Sequence, residues 1–225
     1  MTGKRAGRPR HAEIERVGTS GRAQILDAAA ELFSEHGYGA ATTRQIADAV
    51  GVRQASIYYH FSNKQEILAE LLADTVRPSL EFGIWLAGSS EPALVQLYAL
   101  TRFDVILLSS GRWNIGSLYT MPELRTPEFT AFREERDLLR RAYGDLVASA
   151  MTQEKLQVED VSVTTSLVFA LAESVISMRA EAMPSHPELP DLVATGVLRT
   201  LGCSEARITA TRKRAARVLE QSPTG

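Results

Sequence analysis

Residues 42–64 read TTRQIADAVGVRQASIYYHFSNK, and this stretch decides the fold that we expect for the chain. A helix begins at Thr42-Thr43, because a threonine hydroxyl can accept hydrogen bonds from the free N–H groups of a first helical turn. Gly51 ends that helix after about two turns, and another helix is predicted from Gln54 to Phe61. Two short helices joined by a glycine turn are typical of a helix-turn-helix unit.

The outward face of the second of these helices is unusual. If Ile57 packs inward, a spacing of roughly 100° per residue places Ala55 and Tyr59 nearly opposite it, with Ser56 and Tyr58 on the flanks. This face is polar and aromatic and almost uncharged, whereas a face that is only solvated would carry Lys and Glu. Such side chains suit contacts with base edges and phosphates, so the pattern predicts a DNA-binding surface.

One helix precedes this unit and another follows it. Apolar residues recur three and four positions apart before Gly37, which ends the first helix because glycine adopts left-handed backbone without a Cβ clash. Residues 62–80 predict a connecting helix, with Ser62 as its N-cap and Pro78 bending or ending it. Lys64, near its start, adds a positive charge suited to a phosphate.

The charge of the chain is divided unevenly. Residues 1–64 carry nine Lys/Arg and six Asp/Glu, whereas residues 65–225 carry sixteen and twenty-one, so a segment of net charge +3 precedes one of −5. The first segment is suited to a polyanion. Residues 1–19 hold five cations among Gly and Pro, and we expect a flexible basic arm there. That arm either stays solvated or follows DNA phosphates and the minor groove.

Composition favours an ordinary two-domain globular protein. The 225 residues are 44% hydrophobic and 23% charged, which is sufficient for a sizeable core. We expect a cytoplasmic protein without a membrane contact, because neither a secretory signal nor an uncharged apolar run of membrane-spanning length is apparent. Cys203 is the single cysteine; its expected role is packing, and a redox sensor is the less favoured alternative.

Catalysis has little support in the sequence. The chain contains no G-x-S-x-G elbow, phosphate-binding loop or H-E-x-x-H motif, and its four histidines are scattered. Glu134 and Glu135 are neighbours on a predicted helix, so their carboxylates diverge and do not face one substrate. We therefore expect neither an enzyme, nor a cofactor, nor a metal site.

With these features identified, about residues 21–72 resemble the tetracycline-repressor (TetR) family of bacterial transcription regulators. The matching positions are Gly37-Tyr38, Thr43, Ile46-Ala47, Gly51-Val52, Ile57-Tyr58-Tyr59-His60-Phe61 and Lys64. The resemblance implies an all-α protein, in which an N-terminal three-helix helix-turn-helix DNA-binding domain is joined to a larger helical ligand-binding and dimerisation domain. One departure is Arg53, which stands where many members have a Ser or Thr cap.

The resemblance also implies roles for individual residues. Arg44 and Gln54 match base-reading positions, Thr43, Tyr58 and Lys64 match phosphate contacts, and His60 matches a residue that is at least partly structural. Together with the outward face, the predicted DNA-binding set is Thr43, Arg44, Gln54, Ala55, Ser56, Tyr58, Tyr59, His60 and Lys64. The predicted domains are a basic flexible arm (1–19), the helix-turn-helix domain (20–66), the effector-binding and dimerisation domain (67–205) and a C-terminal basic helix or tail (206–225).

Aromatic residues are concentrated in the predicted effector-binding domain. Nine of the fifteen fall within residues 82–143, which marks this interval as the expected pocket wall, although helical aromatic residues more often belong to a core. The predicted ligand-binding set is Phe82, Trp85, Tyr98, Arg102, Phe103, Trp113, Tyr119, Phe169 and Glu173.

Charges inside apolar helices need partners. Arg102 and Asp104 interrupt the apolar stretch 93–108, and either an internal ion pair, water-exposed ends or a polar ligand group would explain Arg102. Glu173 is the only charge between Val161 and Met178, and it could pair with an arginine, line the pocket or face a partner subunit.

The last helices suggest a dimer. Residues 161–178 and 187–201 resemble the two helices that form a four-helix interface in this family. The apolar and small residues expected there include Leu167, Leu171, Val175, Met178, Val193, Ala194 and Val197. Two recognition helices about 34–36 Å apart could read successive major grooves of a palindrome. From Ser204 onward we expect an amphipathic helix that packs on the body, with a solvated basic face.

These features together predict a sequence-specific DNA-binding transcription regulator. We expect a homodimeric repressor that is released from a palindromic operator in double-stranded DNA by a small, mostly apolar effector molecule. The alternative is a constitutive or architectural dimeric DNA-binding protein without an effector.

Overall fold

The computed structural model describes residues 20–157, 160–184 and 186–222, so the predicted basic arm lies outside the described residues. These residues form α-helices and short 3-10 helices and contain no strand, which confirms the all-α prediction. The α-helices are α1 (Gly21–His36), α2 (Thr43–Val50), α3 (Gln54–His60), α4 (Lys64–Ala73), α5 (Arg77–Ala87), α6 (Ala93–Ser110), α7 (Thr130–Glu154), α8 (Val161–Ala180), α9 (Leu189–Thr200) and α10 (Glu205–Glu220). The 3-10 helices are Ile115–Thr120, Pro122–Arg125 and Pro127–Phe129.

Side-chain caps define the start of the helix-turn-helix unit. The backbone N–H of Gln45 donates to Oγ1 of Thr42 at 3.2 Å, and the N–H of Thr42 donates to Oε1 of Gln45 at 2.8 Å. This reciprocal pair is a capping box, which satisfies two otherwise unpaired donors. The helix start predicted at Thr42-Thr43 is confirmed, with Thr42 as the N-cap.

The turn between α2 and α3 depends on a glycine. Gly51 has φ 79° and ψ 25°, the left-handed conformation, and its N–H donates to the carbonyl of Ala47 at 3.0 Å. Ala47, Ile57 and Phe61 are buried in the core of this unit. Arg53 is the N-cap of α3 and makes no side-chain capping hydrogen bond, so the cap that a Ser or Thr would supply is absent.

The connecting helix is shorter than predicted. The N-cap of α4 is Asn63 and not Ser62, because the Asn63 Oδ1 atom accepts from the Glu66 N–H at 2.8 Å, while Ser62 donates its own N–H to the Glu66 carboxylate at 2.6 Å. The helix ends at Ala73, before Pro78. Pro78 lies instead in the first turn of α5, where its missing N–H costs no hydrogen bond.

Helix α6 is the centre of the larger domain and contacts α5, α7, α8, α9 and α10. Its sequence is apolar on nearly all sides because nearly all sides are covered. Helix α10 packs against α6 and α9 through Ile208, Ala215 and Val218, which confirms the predicted amphipathic helix. Its basic face is partly paired with acidic residues, since Arg207 contacts Glu154 at 3.2 Å.

Two helices of the described chain, α6 and α8, are long and apolar enough to cross a membrane by length and composition alone. Most of α6 is buried among its neighbours, so packing within the bundle accounts for its apolar character. Helix α8 is covered to a smaller extent and keeps apolar side chains on its outer side.

Candidate nucleic-acid interface

The outward face of α3 is open to solvent in the geometry that the sequence predicts. Ile57 is fully buried, whereas Ala55, Ser56 and Tyr58 are exposed. Tyr59 is 86% exposed, an unusual position for a large aromatic side chain. The described residues therefore leave a tyrosine-rich, nearly uncharged helix face available to a partner.

Three residues predicted to contact DNA form one hydrogen-bonded group. The Nε2 atom of Gln54 donates to Oγ1 of Thr43 at 2.9 Å, and this hydroxyl lies 3.3 Å from the hydroxyl of Tyr58. The group joins the first turn of α2 to α3, so both helix starts are fixed relative to each other before any partner binds. Arg44, next to Thr43, is exposed on the same helix start.

Lys64 is already occupied by contacts within the chain. Its ammonium group donates to the carbonyls of Tyr38 and Ala41, both at 2.7 Å, and lies 4.1 Å from the centroid of the Tyr38 ring. Burial lowers the pKa of Lys64, and the nearby Glu123 carboxylate partly opposes that change. Lys64 thus holds the Tyr38–Ala41 segment, and its contact with a phosphate stays a prediction.

His60 lies between α3 and the start of α1. Its ring packs edge-on against Tyr59 at a centroid distance of 5.0 Å, and its Nε2 atom lies so close to Gly21 that a Cβ there would approach it to 3.3 Å. The side chain is half-buried, as expected for a residue with a partly structural role. It therefore supports the position of Tyr59.

Long-range contacts fix the helix-turn-helix unit to the larger domain. The indole N–H of Trp113 donates to Oδ1 of Asp27 on α1 at 2.9 Å. The hydroxyl of Tyr119 donates to Oγ1 of Thr75, just after α4, at 2.6 Å. Trp113 and Tyr119 were both predicted to bind ligand. The structure places Trp113 in a contact between the two parts of the chain and Tyr119 in a contact with the segment that follows α4. The sequence offered no signal for Asp27 or Thr75 as their acceptors.

The other predicted pocket aromatics pack into the core. Phe82 is buried, with its ring stacked on Phe103 at 4.5 Å and on Trp85 at 5.6 Å. Phe169 packs against Tyr143 at 5.4 Å. Aromatic rings at these distances stabilise one another, as in a packed core.

Two clefts of the described chain lie elsewhere. One, of about 430 Å³, lies between α1, α4, α5 and α7, and the other, of about 250 Å³, lies between α9 and α10. None of the nine residues predicted to bind ligand lines either cleft. The predicted ligand-binding role of these nine residues stays a prediction.

Each charge in an apolar helix has a partner. Arg102 donates to Asp191 at 3.2 Å, and Tyr98 donates to the other oxygen of the same carboxylate at 2.7 Å. Glu173 accepts a bidentate pair from Arg136, with the shortest distance 2.6 Å. Of the alternatives for Arg102 and Glu173, the structure contains the internal ion pairs. Sequence reasoning missed both partners. Arg136 stands in a charged stretch that resembles solvated surface, and Asp191 stands in the stretch 187–201 that was predicted to form the dimer interface.

Asp104 is the buried carboxyl group of α6. It accepts hydrogen bonds from Ser79 at 2.8 Å and from Tyr143 at 3.2 Å. Burial raises its pKa from 3.8 to about 6, and the two hydrogen bonds oppose that rise. Between about pH 4 and pH 6 the folded chain therefore keeps a proton that the unfolded chain releases.

The substitution Asp104→Asn tests this buried carboxyl. Because the folded pKa is raised, the wild-type chain loses stability as pH rises through about 4 to 6, whereas a neutral amide does not. We compare the free energy of unfolding of Asp104→Asn with that of wild type. The difference between them should change in favour of the variant by on the order of 2 kcal/mol when the pH is raised from 4 to 7. Urea unfolding at both pH values measures the difference, with the exposed Asp137→Asn on α7 as control. A difference between the variant and wild type that is the same at both pH values would contradict the raised pKa of Asp104.

The fold and the open face of α3 define a helix-turn-helix DNA-binding regulator. Residues 25–71 match the model of the family described as bacterial regulatory proteins, tetR family. The repressor KstR2 of Rhodococcus jostii is 48% identical over 56 residues, which are 24% of this chain and 28% of KstR2. The chain thus matches little more than a quarter of that relative's length.

Solved structures extend the similarity to the whole fold. The crystal structure of Mycobacterium smegmatis AmtR is 45% identical, has a TM-score of 0.85, and the match covers 92% of this chain and 97% of that one. The fold is also that of FadR from Bacillus subtilis, solved in complex with stearoyl-CoA, with 21% identity, a TM-score of 0.60 and coverage of 79% and 95%. The chain belongs to the TetR family of bacterial transcription regulators.

Proposed function

We propose that the chain is a cytoplasmic homodimeric repressor, which reads a palindromic operator with α3 and is released by a small molecule. The observation that carries the DNA-binding part is the exposed face of α3, with Tyr59 86% exposed above a fully buried Ile57. Base reading requires such a face to be held rigidly, and the Thr43–Gln54–Tyr58 group supplies that support. Residues 20–66 are the proposed DNA-binding domain and residues 67–205 the effector-binding and dimerisation domain, with α4 continuous across residue 66.

Binding-site selection from random duplex DNA tests the DNA-binding part. We expect the selected sites to be two inverted half-sites, with centres about 10 base pairs or a multiple of that apart. Affinity should fall steeply with salt, because phosphate contacts release counterions. A chain that retards no duplex at low salt would refute the proposal.

The proposed dimer surface is the outer side of α8 and α9. Val161, Val163 and Leu167 are exposed on α8 and Leu192 on α9, with Leu167 53% and Leu192 52% exposed. Of the residues predicted from sequence, Val175, Val193, Ala194 and Val197 pack inside the subunit. The interface that we propose is therefore the neighbouring face of the same two helices, since exposed apolar patches of this kind mark interfaces.

Leu167→Glu tests the dimer. A carboxylate placed in an apolar four-helix interface is strongly disfavoured, so we expect the dimer dissociation constant to rise at least about a hundredfold. Analytical ultracentrifugation measures the change. Ile84→Glu is the matched control, because Ile84 is 67% exposed on α5, away from the proposed interface. If both variants and wild type sediment equally, Leu167 does not lie in the dimer interface.

Release by a ligand requires a conformational preference. The ligand must bind the form that cannot bind DNA more tightly than the form that can, or it shifts nothing. The FadR structure, of the same fold, contains a small molecule, which supports a ligand site in this architecture. The mostly apolar ligand expected from the sequence was inferred from aromatic residues, and these residues pack against one another in the structure.

The packed aromatic core also favours a second candidate function. A larger domain filled by its own side chains could serve dimerisation alone, which would make the chain a constitutive DNA-binding protein. Operator affinity measured across a broad ligand panel separates the two candidates. A ligand that lowers the affinity supports the ligand-released repressor, and undiminished binding throughout supports the constitutive protein.

A further inference from the structure

The guanidinium of Arg136 lies in a box formed by α7, α8 and the 115–120 helix. Its Nε and Nη2 atoms donate to Oε1 of Glu173 at 3.0 and 2.7 Å, and Nη2 also donates to Oε2 at 2.6 Å. A planar guanidinium paired in this bidentate way has a defined orientation, because both nitrogens are fixed by one carboxylate.

Aromatic rings form the walls of this box. The Cζ atom of Arg136 lies 5.3 Å from the centroid of Tyr119 and 5.2 Å from that of Phe169. Phe132 packs behind Tyr119 and Tyr143 behind Phe169, both at 5.4 Å. Cations are attracted to ring faces within about 6 Å, so these walls favour a positive charge between them.

The charges around the box also favour a cation. The buried Asp104 is hydrogen-bonded to Tyr143, and its carboxyl interacts electrostatically with both Glu173 and Arg136. Asp104 is thus a second acidic group near the box, although its own hydrogen bonds go to Ser79 and Tyr143. A cation can replace Arg136 on Glu173, whereas an anion would have to enter beside both acidic groups.

The box is open to solvent on one side. The side chain of Arg136 is 30% exposed and that of Glu173 is 21% exposed. A long, flexible arginine at the rim can swing outward without any change in the backbone of α7. Solvent therefore reaches both partners of the ion pair.

We propose that Glu173, Tyr119 and Phe169 form a binding site for a small organic cation of the alkylguanidinium class, with the Arg136 side chain as the internal occupant that the ligand displaces. The inference rests on the proposed function only for its regulatory consequence. Tyr119, one wall of the box, donates to Thr75 directly after α4, so a change of occupant acts on the segment that carries the helix-turn-helix unit.

Calorimetric titration with N-butylguanidinium tests the site on the full-length chain. Arg136→Met removes the guanidinium that pairs with Glu173 while keeping an unbranched apolar side chain on α7, and we expect it to bind the probe saturably. Removing the carboxylate in Arg136→Met/Glu173→Gln should weaken that binding roughly tenfold to a hundredfold, the range for hydrogen bonds to a charged group. Arg140→Met is the matched control, since Arg140 is exposed one turn further along α7 and bonds Ser166.

The inference is overturned if Arg136→Met binds the probe no better than the double variant, or if wild type, in which the probe must displace Arg136, binds it no better than Glu173→Gln. If Arg136→Met does not fold, as judged by circular dichroism, the probe is titrated into wild type and into Glu173→Gln, and the two affinities are compared. Weaker binding by Glu173→Gln supports the site, and equal binding overturns it. Operator retardation without the probe is measured separately and tests the proposed function. If the chain retards its operator but does not bind the probe, the cation site is refuted and the proposed function is not.

Discussion

Tyr59→Ala is expected to weaken binding to the selected operator by roughly 5- to 150-fold and to relax the preference at one base position. The physical reason is that Tyr59 is the most exposed aromatic side chain of α3, and a base-edge contact contributes about 1–3 kcal/mol of discrimination. Fluorescence anisotropy with the operator and with single-base variants of it measures both effects.

Two further variants test whether the effect of Tyr59→Ala is specific to base reading. Arg53→Ala removes an exposed cation beside the start of α3, and we expect it to weaken all duplexes alike and to reduce the salt slope by about one. Ile84→Ala changes an exposed apolar side chain on α5 and should leave DNA affinity unchanged. If Tyr59→Ala binds the operator and its variants as wild type does, α3 is not the base-reading helix.

Phe82→Ala is expected to lower the free energy of unfolding by about 3–5 kcal/mol, the range for removing a buried phenylalanine from a packed core. Phe82 is fully covered and stacks on both Trp85 and Phe103, so the truncation leaves a cavity and breaks two ring contacts. Urea unfolding measures the loss. Ile84→Ala, two residues along the same helix but 67% exposed, should change the value by no more than about 0.5 kcal/mol.

The same variant distinguishes a core from a pocket wall. A side chain that lines an open pocket makes fewer contacts, so its truncation costs less than that of a packed residue. A loss below about 1 kcal/mol in Phe82→Ala, which is the scale of a typical point substitution, would support the predicted ligand-binding role of Phe82.

The packing of the aromatic residues in the larger domain limits how the proposed release from DNA occurs. With the aromatic core packed, the groups in the middle of the bundle that a ligand could engage are polar: Asp104, Arg136 and Glu173. Their partners lie on α5, α7 and α8, and Tyr119 connects this region to Thr75. A ligand that changes this polar network acts on contacts that already extend to the end of α4.

The sequence determined the helix-turn-helix unit almost completely. The cap at Thr42, the left-handed Gly51 and the outward Tyr59 all follow from interactions within four residues or from helical periodicity, which a single sequence displays directly. Where two neighbouring residues were both good caps, as at Ser62 and Asn63, local pattern could not choose. The sequence predicted Ser62, whereas the structure has Asn63, whose Oδ1 atom accepts from the N–H of Glu66.

Only the tertiary structure decided the partners of the distant side chains. Arg102 meets Asp191 across 89 residues, Trp113 meets Asp27 across 86, and Arg136 meets Glu173 across 37. A single charge in an apolar helix indicates that a partner is needed. It does not identify the partner, because the packing of the helices selects it. The same packing decided that Phe82 and Phe103 belong to the core, since aromatic side chains in a core and in a pocket wall have the same helical spacing.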